Sequence, residues 1–269
     1  MTGGPIPVTP SPLSRSAIVA RLRSAGCVFA EDEAELLIAA AATPAQLTAM
    51  VDRRASGLPL EQVVGWADFC GLRMAVDPGV FVPRRRTEFL VRQAIALAPS
   101  RPVIVDLCCG SGAVGAALAA ALDPAELHAA DIDPAAVRCA RRNLAAAGGH
   151  VYSGDLFGPL PAALHGHVDI LTANVPYVPT GEVALLPPEA RLHEPRVALD
   201  GGGDGLDVLR RVAAQALLWL APGGSLLVEI SERQESEACD TTGRGGLVPR
   251  VARSAELAVA VLIASKPTG

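Results

Sequence analysis

A glycine-rich turn and three aspartates carry the first chemistry the sequence offers. In CCGSGAVG, over residues 108–115, Gly110, Gly112 and Gly115 match G-x-G-x-x-G. That spacing lets the backbone turn tightly and present the free N–H groups of a helix start to a nucleotide-type ligand. Asp106 stands just before this loop, where a buried negative charge needs a cationic or hydrogen-bonding partner. A dinucleotide would bring its pyrophosphate against that carboxylate and be repelled, whereas the ammonium group of S-adenosyl-L-methionine would be attracted. Asp131 lies at the distance from Gly110 at which an acidic side chain accepts from both ribose hydroxyls. Asp155, in GDLF, is placed to accept from an adenine amino group, with Leu156 or Phe157 beside the ring. The glycine fingerprint by itself also fits a nicotinamide-dependent oxidoreductase.

The elements that must hold these residues follow from the hydrophobic pattern. VIVDL, then a helix over 113–122, then LHAAD, then a helix opened by Asp133 and Pro134, is βαβ order. HVYSGD, VDILTAN and GSLLVEI supply further buried strands, and apolar segments at 247–251 and 258–264 are expected to close the sheet as a hairpin. The expected fold class is therefore α/β, an open, doubly wound, mainly parallel Rossmann-like sheet with helices on both faces. Ligands in such sheets sit beyond the carboxyl ends of the strands, at the switch point. Upstream, apolar spacing through Ile18, Leu22, Leu37 and Val51 predicts a small helical module over 13–56, with Thr43 and Pro44 as N-cap and first helical residue. Residues 1–12 are expected to be a disordered tail, 57–82 a β-hairpin connector and 83–269 the main domain.

Composition bounds the function. Half of the 269 residues are hydrophobic and 19% are charged, enough apolar side chain for one large core or two modest ones. A formal charge of −5 removes the footprint of a general nucleic-acid or membrane-surface binder, so neither a membrane nor a direct nucleic-acid partner is expected. No apolar run approaches the roughly 18 residues that span a bilayer, and the opening residues have no signal-peptide pattern; the expected location is the cytoplasm. The six cysteines contain no C-x-x-C pair and are read as reduced thiols, with no metal site.

The fourth strand ends in Asn174, Val175, Pro176 and Tyr177, and this tetrad resembles the N-P-P-Y signature of amino-methyltransferases. PRRRTE (83–88), DLCCGSGAVG, ADIDPAAV, GDLF and HEPRVALDGGGDGLDVLRR occur in the order of the HemK/PrmC family, protein-glutamine N5-methyltransferases that modify the Gly-Gly-Gln loop of peptide chain release factors. The resemblance covers about residues 57–269 and is to a divergent, actinobacterial-type branch. It implies a seven-stranded methyltransferase sheet, S-adenosyl-L-methionine as cofactor, a release factor as protein substrate, and a substrate-recognition role for the helical module. N6-adenine methylation of nucleic acid is the alternative with the same chemistry.

On this resemblance Asp106, Cys108, Cys109, Gly110, Ser111, Gly112, Asp131, Asp155, Leu156 and Asn174 bind the cofactor, while Asn174, Val175, Pro176 and Tyr177 hold the acceptor. An amide nitrogen is a poor nucleophile because its lone pair is delocalised. The Asn174 side-chain oxygen and the Val175 carbonyl would accept its two N–H bonds and stabilise the developing positive charge, with Tyr177 packed against the flat amide. The family pattern has proline at Val175; Pro176 still restricts Val175 to extended conformations, but a new N–H must find a partner. PRRRTE departs from an arginine-proline-aspartate order, and Arg85 and Arg86 are expected in a solvated loop. Further along, Glu194 and Arg196 are expected to pair, Asp204 or Asp207 to cap a helix, and His193 to be solvated.

Overall fold

The computed structural model describes residues 13–268, so the tail expected over residues 1–12 lies outside the described residues. The chain divides after Val64 into two units.

The first unit is helical. α1 (Arg15–Ser24) starts at Ser14, whose hydroxyl accepts from the Ala17 N–H, and α2 (Ala30–Ala40) carries three acids in its first turn, where they favour the helix dipole. α3 (Pro44–Ala55) has Thr43 as N-cap, accepting from the Gln46 N–H. Ile18, Leu22, Leu37 and Val51 are fully buried between them, each contributing about 2 kcal/mol. Arg54 donates through Nε to Glu33 Oε2 at 2.6 Å and through Nη2 to Oε1 at 3.0 Å, a bidentate pair inside this unit. The unit does not stop at residue 56: α4 (Leu60–Val64) continues it, with Val63 in its core.

The second unit opens with a hairpin, β1 (Trp66–Phe69) and β2 (Leu72–Ala75). Its two-residue turn uses Cys70 at φ 50 and Gly71 at φ 75, the left-handed pair that matches strand twist. The hairpin is part of this unit rather than of a separate connector. The Cys70 N–H donates to Glu88 of α5 (Glu88–Leu97) at 3.1 Å, and the Asn143 carboxamide both accepts from and donates to the Ala75 backbone at 2.9 Å.

The remaining elements are β3 (Val103–Leu107), α6 (Ala113–Ala121), β4 (Glu126–Asp131), α7 (Pro134–Leu144), β5 (His150–Ser153), β6 (Val168–Ala173), α8 (Pro188–His193), α9 (Asp207–Trp219), β7 (Leu220–Ile230), α10 (Glu235–Arg244), β8 (Val248–Ser254) and β9 (Val259–Ser265). They form a seven-stranded sheet in the order β5-β4-β3-β6-β7-β9-β8. β3 to β7 are parallel, and the final strand, antiparallel, inserts between β7 and β8. Strand alternation feeds two cores, one on each face: Val105 and Leu107 pack with Val212 and Trp219 of α9, while Ile104 packs with Leu90 of α5 and Leu144 of α7. The order reverses at β3, whose neighbours are β4 on one side and β6 on the other. Among the described residues no helix is long and apolar enough to cross a membrane.

Candidate functional site

β3 and β6 run side by side with Leu107 paired to Ala173, so the loop after β3 and the tetrad after β6 emerge together at the carboxyl edge of the sheet. A cavity of about 540 Å³ opens there. Asp106, Cys108, Cys109, Gly110 and Ser111 line it from β3, Asp131 from β4, and Asn174, Val175, Pro176 and Tyr177 from β6.

The loop is fixed by hydrogen bonds that its glycines make possible. Gly110 at φ 56 and Gly112 at φ 80 occupy the left-handed region that side chains disfavour. A Cβ on Gly112 would sit 3.2 Å from Ala140 and Leu144 of α7, so Gly112 shapes the cradle from behind and does not line it. The Gly110 N–H donates to Asp131 Oδ2 at 2.8 Å, and Oδ1 of the same carboxylate accepts from the Asp133 N–H at 2.9 Å. Burial raises the Asp131 carboxyl pKa, opposed by those N–H bonds. Cys108 also adopts a left-handed φ, 52; burial, then Asp131 and Asp106, hold its thiol well above the usual range. It remains a neutral wall. None of the six cysteines forms a disulfide.

Asp106 is buried, and its partners belong to the protein. Thr172 Oγ1 donates to one oxygen at 2.8 Å, and the Gly115 N–H in the first turn of α6 to the other at 3.1 Å, so the carboxylate caps the helix from the neighbouring strand. Desolvation outweighs both bonds and pushes its pKa up to about 7.

Asp155 and Leu156 do not line the cavity. Asp155 pairs with Arg211 of α9, and Leu156 and Phe157 are buried in the core under that helix. The carboxylate expected to reach an adenine amino group is here engaged by a guanidinium.

The tetrad divides into a free half and a clamped half. The Asn174 carboxamide makes no hydrogen bond to any described residue, and the Val175 N–H, the donor that proline would lack, finds no acceptor among them. Tyr177 is held at both ends. Its carbonyl accepts from Gln234 Nε2 at 2.9 Å; its hydroxyl donates to Glu229 Oε1 at 3.1 Å and accepts from Arg86. The chain beyond it runs beside 199–202, with the Val178 N–H donating to Leu199 O at 3.0 Å and the Gly201 N–H to Val178 O at 2.8 Å. This close approach requires glycine. A Cβ on Gly201 would lie 2.6 Å from Pro176 O, and one on Gly205 2.2 Å from Tyr177 O.

Several ion pairs differ from those expected. Glu194 does not pair with Arg196: its buried carboxylate accepts both bonds from Arg84 Nη2 at 2.7 Å and one from the Val82 N–H at 3.1 Å. Arg196 pairs with Asp200 at 2.9 Å. Asp204 accepts from the Leu206 N–H at 3.1 Å just before α9, but its main partner is Arg210, which also reaches Asp207. Arg85 and Arg86 are both exposed, as expected, but Arg86 also lines the cavity and donates to Glu229 Oε1 at 2.7 Å.

Sequence reasoning missed the outer wall. Phe69, Phe81 and Arg84 line one side of the cavity, and Leu186, Pro187, Ala190 and Val197, on and around α8, another. It also missed Glu229, although an acid ending the apolar run GSLLVEI was a signal that a buried carboxylate there needs donors.

Residues 71–242 match the family model described as Methyltransferase small domain. A release factor glutamine methyltransferase of Geobacter sulfurreducens is 39% identical over 199 residues, covering 73% of this chain and 69% of the relative. A 4-amino-L-phenylalanine/4-methylamino-L-phenylalanine methyltransferase of Streptomyces pristinaespiralis is 39% identical over 66% of this chain and 63% of its own length. Among solved structures, a Pyrococcus furiosus methyltransferase superposes with a TM-score of 0.56 at 16% identity, covering 73% of this chain and 90% of that one.

Proposed function

The chain belongs to the methyltransferase small domain family, in its HemK/PrmC branch, and is an S-adenosylmethionine-dependent methyltransferase; we propose that its acceptor is the side-chain amide of a glutamine in the Gly-Gly-Gln loop of a peptide chain release factor. The observation that carries this reading is the unpartnered Asn174 carboxamide and the adjoining Val175 backbone at the cavity wall, next to the glycine loop. The relatives' names point the same way.

The residues present fit the donor. Gly110, in the left-handed region, lines the cavity with open space beside it, and Asp106 and Asp131 line the same cavity with carboxyl groups that, when ionised, suit an ammonium group and ribose hydroxyls. When bound, S-adenosylmethionine supplies a methyl group already attached to a good leaving group, a sulfonium. The chain then has to position the acceptor. The Asn174 side-chain oxygen and the Val175 carbonyl accept the two amide N–H bonds, direct the nitrogen's lone pair into the cavity and stabilise positive charge as it develops there. One amide proton is lost to water, and no strong base is required. Tyr177 forms the wall against which the planar group rests, and apolar residues around α8 exclude water. Asp155 reaches the adenine amino group in this reading only after releasing Arg211.

The test is parallel incubation of the protein and labelled donor with a release factor, with DNA and with 4-amino-L-phenylalanine. One methyl group gained on the loop glutamine is expected. Label confined to DNA would move the acceptor to adenine; label confined to the free arylamine would move it to the chemistry named for the Streptomyces relative.

The raised Asp106 pKa gives a further expectation. Its folded value of about 7 exceeds the ordinary carboxyl value of 3.8, so the native state holds a proton that the unfolded state releases. Its contribution to stability is full below 3.8 and is lost as pH rises to about 7. A cationic ligand favours the carboxylate, so S-adenosylmethionine affinity should rise through the same interval and level off above it. Calorimetric titration between about pH 6 and 8 measures this. Asp106→Asn should flatten the profile, and adenosine, which carries no ammonium group, should bind without it.

A further inference from the structure

Arg86 stands where the family pattern has an acid, and although its side chain is 45% exposed its guanidinium is tied to the protein at two points. Nε donates to Glu229 Oε1 at 2.7 Å, and Nη2 donates to the Tyr177 hydroxyl. Glu229, 3% exposed at the end of β7, accepts in addition from Thr87 Oγ1 at 2.7 Å and from the Tyr177 hydroxyl at 3.1 Å. The phenol therefore uses both its proton and a lone pair, each on a charged partner. Such bonds are roughly twice as strong as neutral ones.

We infer that Arg86 and Glu229 are positioning residues for methyl transfer: together they lock the Tyr177 ring through its hydroxyl and so fix the wall against which the acceptor amide is aimed. The inference rests on the reading that the 174–177 tetrad holds that amide. A tyrosine whose hydroxyl is free can rotate about its side-chain bonds; this one cannot without leaving a buried carboxylate short of a donor. The bridge needs a planar cation with two separated donors, a geometry that lysine does not reproduce. An angstrom of misplacement at a reacting centre costs on the order of a hundredfold in rate. The clamp acts on kcat, because most of the residues suited to the donor, Asp106, Asp131 and the 108–112 loop, lie on the β3 and β4 side of the cavity.

The experiment is a double-mutant cycle of Arg86→Met and Tyr177→Phe on the full chain, with a Gly-Gly-Gln-containing release factor as acceptor. Each single change should lower kcat about tenfold to a hundredfold with the KM for S-adenosylmethionine unchanged, Arg86→Lys should recover only part, and the double variant should be no worse than the poorer single one. Multiplying effects would mean that Arg86 acts independently of the hydroxyl and would overturn the inference. A second readout needs no turnover. The chain has two tyrosines, so ring-labelled tyrosine NMR isolates Tyr177, and Arg86→Met or Glu229→Gln should shift and broaden that signal while leaving Tyr152 in place. An unmoved Tyr177 signal would reject the clamp even if the wild type methylates its acceptor. A wild type that transfers no methyl to glutamine would reject the functional reading, and the spectra would still decide the clamp.

Discussion

Asn174→Ala is expected to lower kcat for methyl transfer by about a hundredfold to a thousandfold, the loss that follows removal of one fixed group aimed at developing charge. The reason lies in what the residue does not do in the folded protein. Its carboxamide makes no hydrogen bond to a described neighbour and borders the cavity beside a loop held by Asp131. Its deletion therefore leaves the fold's own bonds intact. Thermal stability should be nearly unchanged, and S-adenosylhomocysteine should bind within about tenfold of wild type, since each lost neutral hydrogen bond is worth only about 1 kcal/mol. Single-turnover kinetics with saturating donor, beside calorimetry with the product, separates the two effects. A variant that keeps full kcat would remove Asn174 from the chemistry.

Gly205→Ala should abolish activity by a different route. Gly205 has φ 79, and its Cβ would fall 2.2 Å from the Tyr177 carbonyl oxygen and 2.5 Å from Gln234 Nε2, the two atoms that bond to one another at 2.9 Å. The left-handed backbone alone costs about 1–2 kcal/mol for a side-chain-bearing residue, and the clash forces the tetrad's backbone to shift. A destabilisation on the order of 3 kcal/mol is expected together with loss of activity. Gly203 in the same run has open space around its Cβ position and no positive φ, so Gly203→Ala is the matched control and should be close to neutral. Equal melting temperatures for the two variants would contradict this role for the glycines.

These two expectations differ in how far the sequence reveals them. Asn174 is legible because a strand ending in Asn-x-Pro-Tyr falls opposite a glycine fingerprint, and the βαβ order fixes which strand ends meet. The central strands are legible for the same reason: β3, β4, β6, β7 and β9 carry apolar runs bounded by turn residues, and the structure pairs β3 with β6 as that order requires. α4, five residues long, has too few turns to show a helical period. It therefore disappears into the expected connector, and the hairpin that follows is tied to α5 and α7 by side chains distant in sequence. Long-range ion pairs are the least legible of all. Arg86 meets Glu229 across 143 residues, and Arg84 meets Glu194 across 110. Local reasoning finds the exposure of Arg86 but not its Glu229 contact, and gives Glu194 a near neighbour, because charges close in sequence are the default partners. Asp155 shows the opposite case: its position at a strand end is as expected, yet Arg211 on α9 claims its carboxylate.

The central claim is that a methyl donor and a planar carboxamide meet where β3 and β6 end. A crystal structure of the protein with S-adenosylhomocysteine and a Gly-Gly-Gln peptide tests it most directly. The expected density places the product over the 108–112 loop, and the glutamine amide donating to the Asn174 side-chain oxygen and the Val175 carbonyl, with its nitrogen facing the sulfur. A product molecule bound away from that loop, or a glutamine held by other residues with Asn174 turned aside, would contradict the account.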